Sequence, residues 1–267
     1  MSNTNPRIQA YLQRIGFTGP LDGSAKTLAD LQECHLHAVP YENLDILSGI
    51  ALSLDPEAVY DKVVERGRGG YCFELNALFG WLLRELGYPV TDLVARFWRD
   101  HALDAPPKRR HHVLQVEAEG VTYLCDVGVG GIVPRKPVAW VEGLEQVQGD
   151  ECYRLKRDAG YGWMLSEKKD DTWKDIYSFT EEPQYLDDFQ FATFWCEQAP
   201  ASPFRQAPIV AVRTREGRNT VAGGEFRIFT GEGVTTFRPE SEEAYLAALH
   251  KHFGIELPQG RLLGFPF

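Results

Sequence analysis

The sequence predicts an α+β fold in which a helical first third leads into antiparallel β-sheet and the chain closes on a small sheet with one helix. Three observations carry that reading. The stretch up to Pro89 is punctuated by helix caps and stops; the stretch beyond it alternates Val, Tyr, Phe and Trp with polar residues; and Pro and Gly interrupt both at turn spacing. At 267 residues the chain has room for one large domain or about two to three small ones, each with its own core.

In the first third, Asn5-Pro6 opens a helix that ends at Gly16, Ser24 caps a second, and Asp55-Pro56 opens a third carrying Val59 and Val63. A fourth is the clearest. Leu75, Leu78, Phe79, Leu82, Leu83 and Leu86 recur at three- and four-residue spacing, and Gly87 with Pro89 supplies the stop. Cys72 lies on that apolar stripe at the helix start. It follows Gly69-Gly70, whose backbone freedom lets the chain turn sharply and present N–H groups. A helix N-terminus favours the thiolate, which predicts a Cys72 pKa below the free value of about 8.5. The competing reading is a small buried hydrophobe.

The middle third, through about Trp195, reads as antiparallel sheet with runs short enough to close as a small barrel. In the last third "PIVAVRT", "EFRIFTG" and "GVTTFRP" form a strand meander, and Ser241, Glu242 and Glu243 open a helix running through Leu246, Leu249 and Phe253 to Gly254. Composition shifts near Pro89 and around residues 199–208 divide the chain into 1–90, 91–198 and 199–267. There is no internal repeat and no low-complexity tract.

A net charge of -10 argues against nucleic acid as a partner but leaves room for a local basic patch, which "APPKRRHH" supplies at Lys108, Arg109 and Arg110. The opening "MSNTNPRIQ" lacks a basic-then-apolar signal, and no run approaches the roughly eighteen apolar residues of a membrane span. A cytoplasmic protein with no membrane partner is expected. The five cysteines (34, 72, 125, 152 and 196) are scattered and include no CxxC pair, so reduced thiols are expected and neither a disulfide framework nor a metal site.

A thiolate nucleophile needs a base, and the base needs an orienting group. "RRHHVLQVEAEGVTYLCDVGVGG" offers both: strand-like runs from His111 to Glu117 and from Val121 to Asp126 flank a turn through Glu119-Gly120. Pairing Glu117 with Gly120 sets His111 against Asp126, whereas a bulge that puts Glu117 opposite Val121 sets His112 there. Hairpin geometry alone leaves both open. Either imidazole could instead be a core or rim side chain satisfied by backbone, and Asp126 a turn residue.

"RGGYCFELN" at residues 68–76, "VPYENLDI" at 39–46 and the stretch from His111 to Gly131 together resemble, in order and spacing, the arylamine N-acetyltransferases. The resemblance covers most of the chain and is weakest after about residue 195. It implies an N-terminal helical bundle, a central antiparallel β-barrel and a C-terminal α/β lid around a Cys-His-Asp core like that of cysteine proteases. The nucleophile would lie in 1–90, the His and Asp in 91–198, and the lid in 199–267. In that family the His and Asp stand fifteen residues apart, which selects His111 with Asp126 and leaves His112 on the opposite face of its strand.

The resemblance further implies a two-step transfer. Cys72 takes an acetyl group from acetyl-CoA, the co-substrate, and passes it to a small aromatic amine, hydrazine or hydroxylamine, with no tightly bound cofactor. Its backbone N–H is a candidate oxyanion donor. Lys108, Arg109, Arg110 and the loop glycines Gly128 and Gly130 are the candidate CoA contacts, and Tyr41, Tyr71, Phe97 and Val129 the candidate acceptor contacts. Val129 stands where the family commonly has an aromatic and Tyr41 where it has Phe, which marks acceptor choice as the point of departure. Competing readings are an amide synthase acting on a carrier-bound acyl chain, a cysteine protease or transglutaminase-like enzyme, and a metal site in a binding module. The last leaves the PYEN and RGGYC-type segments unexplained.

Overall fold

The computed structural model of the chain describes residues 5–99, 101, 105–131, 133–258 and 260. Its first third is helical: α1 (Pro6–Arg14), α2 (Ala25–Ala38), a short strand β1 (Tyr41–Glu42), α3 (Leu44–Leu47), α4 (Pro56–Tyr60) and α5 (Cys72–Glu85). The expected caps operate. The Asn5, Ser24 and Asp55 side chains accept the N–H groups of Arg7, Thr27 and Glu57. Helix α5 is the centre of this layer, with Leu75, Phe79, Leu82 and Leu83 fully buried in the core that also takes in Tyr11, Leu28 and Leu31. Each such side chain contributes about 1.5–3 kcal/mol by leaving water.

Helix α4 runs on into a π-helical turn, Asp61–Glu65, which directs Lys62 into the protein. There Lys62 Nζ lies 2.8 Å from Asp45 and 2.9 Å from Glu74, while Arg68 Nη2 lies 2.5 Å from Glu42 and 3.0 Å from Asp45. All five groups are buried. The carboxylates also hold backbone: Glu74 Oε2, already bonded to Lys62, accepts the Tyr71 N–H at 2.8 Å, and Glu42 Oε2, the oxygen turned away from Arg68, accepts the Leu44 N–H at 2.9 Å. Gly69 lies so close to this crossing that a Cβ would stand 2.2 Å from the Pro40 carbonyl. The glycine is therefore required for close approach.

The middle of the chain builds one eight-stranded antiparallel sheet from β2 (Val90–Phe97), β3 (Arg109–Ala118), β4 (Val121–Cys125), β5 (Val138–Ala139), β6 (Gln146–Gln148), β7 (Glu151–Asp158), β8 (Gly162–Lys169) and β9 (Thr172–Phe179), in the order β5-β4-β3-β2-β9-β8-β7-β6. It curls almost into a barrel. The Gly143 N–H just after β5 reaches the Leu155 carbonyl of β7 at 2.7 Å, across the opening.

The β3–β4 hairpin has neither of the registers read from the sequence. Glu119 and Gly120 both have positive φ, 52° and 77°, and form a two-residue turn whose twist matches the strands. Ala118 therefore pairs with Val121 and Leu114 with Cys125, one step beyond the bulged alternative and two beyond the other. Strand β4 stops before Asp126, which begins the following loop.

A second correction concerns residues 186–198, included in the expected sheet. They form a 3-10 turn, Leu186–Phe189, and helix α6 (Gln190–Gln198). Its aromatics misled because they do not mark a core face: Thr193 and Cys196 are buried, while Phe191 and Phe194 are 87% and 67% exposed.

The last third forms β10 (Ile209–Arg213), β11 (Arg218–Ala222), β12 (Glu225–Thr230) and β13 (Gly233–Phe237), closed by α7 (Glu242–Phe253), which ends at Gly254 with φ 67°. Strand β1 joins this sheet by pairing with β10, Tyr41 opposite Ala211, and Tyr41 also bridges Gly70. The PYEN segment thus ties the final sheet to the chain entering α5.

Replacing Lys62 by Met leaves the Asp45 and Glu74 carboxylates buried without their cation, and we expect a loss of about 3–5 kcal/mol, read as a lower urea midpoint at unchanged m-value. A pH series tests the same cluster. Burial works to raise the Asp45 carboxyl, but the Lys62 and Arg68 charges hold it below its ordinary value. A depressed folded-state pKa gives stability that is present above the unfolded pKa of about 3.9 and lost as pH falls through the folded value. The stability gap between wild type and Asp45→Asn should accordingly narrow on going from about pH 5 toward pH 3.

Candidate active site

Cys72 is the first residue of α5, and Asn76 follows one turn later on the same face. The Asn76 amide joins three segments. Its Nδ2 donates to Asp126 Oδ1 at 2.9 Å and to the His112 carbonyl at 2.6 Å, and its Oδ1 accepts the Val127 N–H at 2.9 Å. The Gly128 N–H adds a 2.8 Å bond to Asp126 Oδ1, and the Asp126 N–H donates to Gln32 Oε1 at 3.3 Å. The carboxylate is fixed before the imidazole reaches it. His111 Nε2 lies 2.7 Å from Asp126 Oδ2, with both side chains almost fully buried.

Asp126 has left the β4 ladder, so this contact is made by side-chain reach and not by strand pairing. A carboxylate at Nε2 holds the proton there and leaves Nδ1 as the unprotonated nitrogen. Phe97 and Tyr177 flank the His111 ring at centroid distances of 5.7 and 5.3 Å. His112 faces the other way, where its Nε2 lies 2.9 Å from Asp92 and its ring packs on Phe189 at 4.4 Å.

The Cys72 sulfur lies 3.8 Å from the carbonyl of Arg110, the residue before His111. Gly128 packs against Cys72 so closely that a Cβ would come within 3.0 Å of the Cys72 Cβ and 2.5 Å of Asn76 Nδ2. Contrary to the helix-terminus expectation, the Cys72 thiol is pushed well up. Burial is the largest cause, the charges of Cys196 and Asp126 add to it, and the His112 main chain and Tyr71 side chain oppose it. The thiolate would need a cation beside it.

The remaining sequence-derived residues fall into separate groups. Phe97 flanks His111, and Val129, next to Gly128 in the chain, is half-buried against the main core. Tyr41 and Tyr71 stand together at 5.8 Å on the other, where the Tyr71 hydroxyl donates to Cys196 Sγ at 2.9 Å and its ring meets Phe204 at 4.9 Å. Lys108, Arg109 and Arg110 border a cleft of about 310 Å3 beside α6. In it Lys108 sits 5.1 Å over the Trp195 ring and Arg109 lies 3.7 Å from Glu182. Gly130, at φ 74°, abuts β10, where a Cβ would meet the Ala211 carbonyl at 2.4 Å.

Sequence reasoning missed Asn76, Gln32, Tyr177 and Cys196. Only Asn76 left a signal, because it follows Cys72 by four positions on one helix face; the others reach the site from distant segments.

Comparison with known proteins agrees with this fold. The family model described as N-acetyltransferase matches residues 24–262. An arylamine N-acetyltransferase of Mycobacterium tuberculosis is 37% identical over 254 residues, covering 94% of this chain and 89% of the relative. The solved structure of arylamine N-acetyltransferase from M. tuberculosis superposes with a TM-score of 0.89 at 35% identity, covering 96% of this chain and 97% of that one. The Mycobacterium marinum arylamine N-acetyltransferase solved in complex with CoA gives a TM-score of 0.86 at 33% identity, with 96% of each chain covered. The chain belongs to the arylamine N-acetyltransferase family.

Removing the Asn76 amide with Asn76→Ala leaves Asp126 and the Val127 N–H short of a partner, and we expect about 1–3 kcal/mol lower stability. Alkylation of Cys72 by iodoacetamide, followed by peptide mapping, should also slow at neutral pH, because the carboxylate that orients His111 is no longer held.

Proposed function

We propose that Cys72 is the acyl carrier of an acetyl-CoA-dependent arylamine N-acetyltransferase, with His111 as its base and Asp126 as the group that orients the base. Transfer of acetyl from acetyl-CoA to arylamines is the reaction of the family to which the chain belongs. The observation that carries the assignment to these residues is the hydrogen-bonded frame in which Asn76, on the turn above Cys72, grips the carboxylate that holds His111.

In the first half-reaction the Cys72 proton passes to His111 Nδ1, and the sulfur attacks the acetyl carbonyl. The tetrahedral intermediate collapses with loss of the CoA sulfur, which takes the proton back from the imidazolium. Burial disfavours an isolated thiolate here, so thiolate and imidazolium form together, as a pair, when the thioester arrives. Asp126 stabilises the imidazolium. In the second half-reaction the neutral amine of an arylamine attacks the acetyl-cysteine, His111 accepts its proton, and the Cys72 sulfur leaves and is reprotonated. The same route serves arylhydrazines and arylhydroxylamines. The N–H of Cys72 at the start of α5 is the candidate donor to the oxyanion.

Lys108 and Arg109, at the cleft beside α6, are suited to the phosphates of CoA. Gly128 serves differently from the sequence expectation: its N–H is taken by Asp126, which supports a role in close packing on the nucleophile. Among the described residues no helix is long and apolar enough to cross a membrane. Five free cysteines and a CoA thioester donor fit a reducing, cytoplasmic setting.

Mixing the protein with acetyl-CoA without acceptor should add one acetyl group, found by mass spectrometry on the peptide containing Cys72. Label on Cys125 in its place would overturn the assignment. His111→Gln should abolish this acylation at neutral pH, while His112→Gln should retain most of it, since His112 faces Asp92. Val129→Phe restores a ring beside the acyl-cysteine; stacking worth about 0.5–1.5 kcal/mol should lower KM for compact anilines several-fold and penalise larger acceptors, with acylation by acetyl-CoA unchanged.

A further inference from the structure

We propose that Arg213 is a positioning residue for the second half-reaction: it holds the loop after β4 as a fixed wall beside Cys72, so that the arylamine meets the acyl-cysteine in one orientation. The proposal rests on the reading of Cys72 as acyl carrier. The alternation of β10 supplies the geometry. Val210 and Val212 face the core of the C-terminal sheet with Val221, Phe226 and Leu249, which turns Ala211 and Arg213 to the other face. There Ala211 meets Gly130, whose added Cβ would stand 2.4 Å from the Ala211 carbonyl oxygen, and the Arg213 side chain, only 3% exposed, follows the same loop. Its Nη2 donates to the Val133 carbonyl at 2.9 Å and to the Gly131 carbonyl at 3.4 Å, while its Nη1 donates to Glu151 of β7 at 3.1 Å.

Residues 126–131 and 133–134 lie outside the strand ladders, so their polar groups turn largely to side chains for partners. Arg218, opposite Arg213 on β11, adds a 3.3 Å bond to the Gly131 carbonyl, and Gln32 Nε2 takes the Pro134 carbonyl at 3.0 Å. Arg213 ties the loop to two bodies at once. Glu151 anchors its guanidinium to the barrel, and β10, which carries it, pairs with β1, whose Tyr41 bridges Gly70 in the turn into α5. The loop is thereby fixed relative to Cys72. Its front end has separate support, because the Asp126 carboxylate is held by Asn76 and the Gly128 N–H. Loss of the guanidinium therefore spares the Cys72, His111 and Asp126 frame and loosens the stretch from Val129 onward. Acetyl-CoA has phosphates to bind far from the sulfur, whereas a small arylamine has only the walls beside it. A displaced wall falls on the acceptor.

In a two-step transfer, kcat/KM for the acceptor reports the second half-reaction and kcat/KM for acetyl-CoA the first. With 4-methylaniline as acceptor, Arg213→Met should lower the former about tenfold and leave the latter, and the rate of Cys72 alkylation by iodoacetamide, within about threefold. Glu151→Gln keeps the Arg213 donors on the two carbonyls and should leave both ratios within about threefold of wild type. Arg213→Met combined with Glu151→Gln removes the ion pair without stranding a carboxylate, so it should regain the urea midpoint lost in the single variant but not the acceptor kcat/KM. Arg213→Lys, with one ammonium in place of a fork, should fall between Arg213→Met and wild type. Equal loss in both ratios, an acceptor ratio that returns together with the urea midpoint, or lower stability at unchanged kinetics would overturn the proposal, since each reduces Arg213 to a structural residue. A loss confined to acetyl-CoA would overturn it by moving the effect to the first half-reaction. Acetylation of Cys72 by acetyl-CoA, read by mass spectrometry in each variant, keeps a failure of this proposal distinct from a failure of the acyl-carrier reading.

Discussion

Three carboxylates and two cations buried beneath the start of α5 fix the place where Cys72 stands. Glu42 and Asp45 come from the segment around β1, Arg68 and Glu74 from either side of Cys72, and Lys62 from the π-helical turn between them. Taking these charges out of water is costly, and the arrangement is stable only because every one finds a partner at short range. The cluster leaves an excess negative charge, and it is expressed at Glu74, whose carboxyl is raised by burial against the pull of Lys62. Because Glu74 and Glu42 also accept the N–H groups of Tyr71 and Leu44, the ions satisfy the orphan donors of two helix starts. The residues that flank Cys72 in the sequence thus serve largely to hold the backbone that presents it.

From that fixed point the site is assembled by a single neutral side chain. Asn76 is carried by the same helix as Cys72 and bonds both the β3 backbone and the carboxylate of the loop after β4. Helix, strand and loop cannot shift independently while those bonds stand. The alternation of β3 then gives neighbouring residues unlike environments: His111 turns to Asp126 between aromatic rings, and His112 turns to Asp92 and Phe189. Arg110, at the irregular step of the β2–β3 pairing, extends over Phe204. One strand therefore turns two adjacent imidazoles to opposite sides.

The local environment of the sulfur shows why a helix N-terminus is not enough to create a resident thiolate. The macrodipole offers a fraction of a charge at the end of α5, while Cys72 is buried and shares its surroundings with Asp126 and the Cys196 sulfur. Desolvation and like charge outweigh the dipole. Under the proposed mechanism the thiol is held neutral and released by proton transfer to His111.

The sequence by itself determined the local elements and the identity of the chemical groups. Caps at Asn5, Ser24 and Asp55, the leucine stripe of α5 with Cys72 at its head, the strand meander and the helix closing at Gly254 all depend on neighbours within a few positions, and each is where local chemistry puts it. Tertiary structure decided what depends on distant partners. The positive φ at both Glu119 and Gly120 set a register that neither hairpin reading contained, and the His111–Asp126 contact comes from side-chain reach across a loop. The aromatic run at 189–195 became helix α6 because alternation of large side chains does not say which are buried, and here Phe191 and Phe194 are not. The pKa of Cys72 and the roles of Gln32, Tyr177 and Cys196 were likewise invisible, since burial and Coulomb interaction act through space between residues that the chain order keeps far apart.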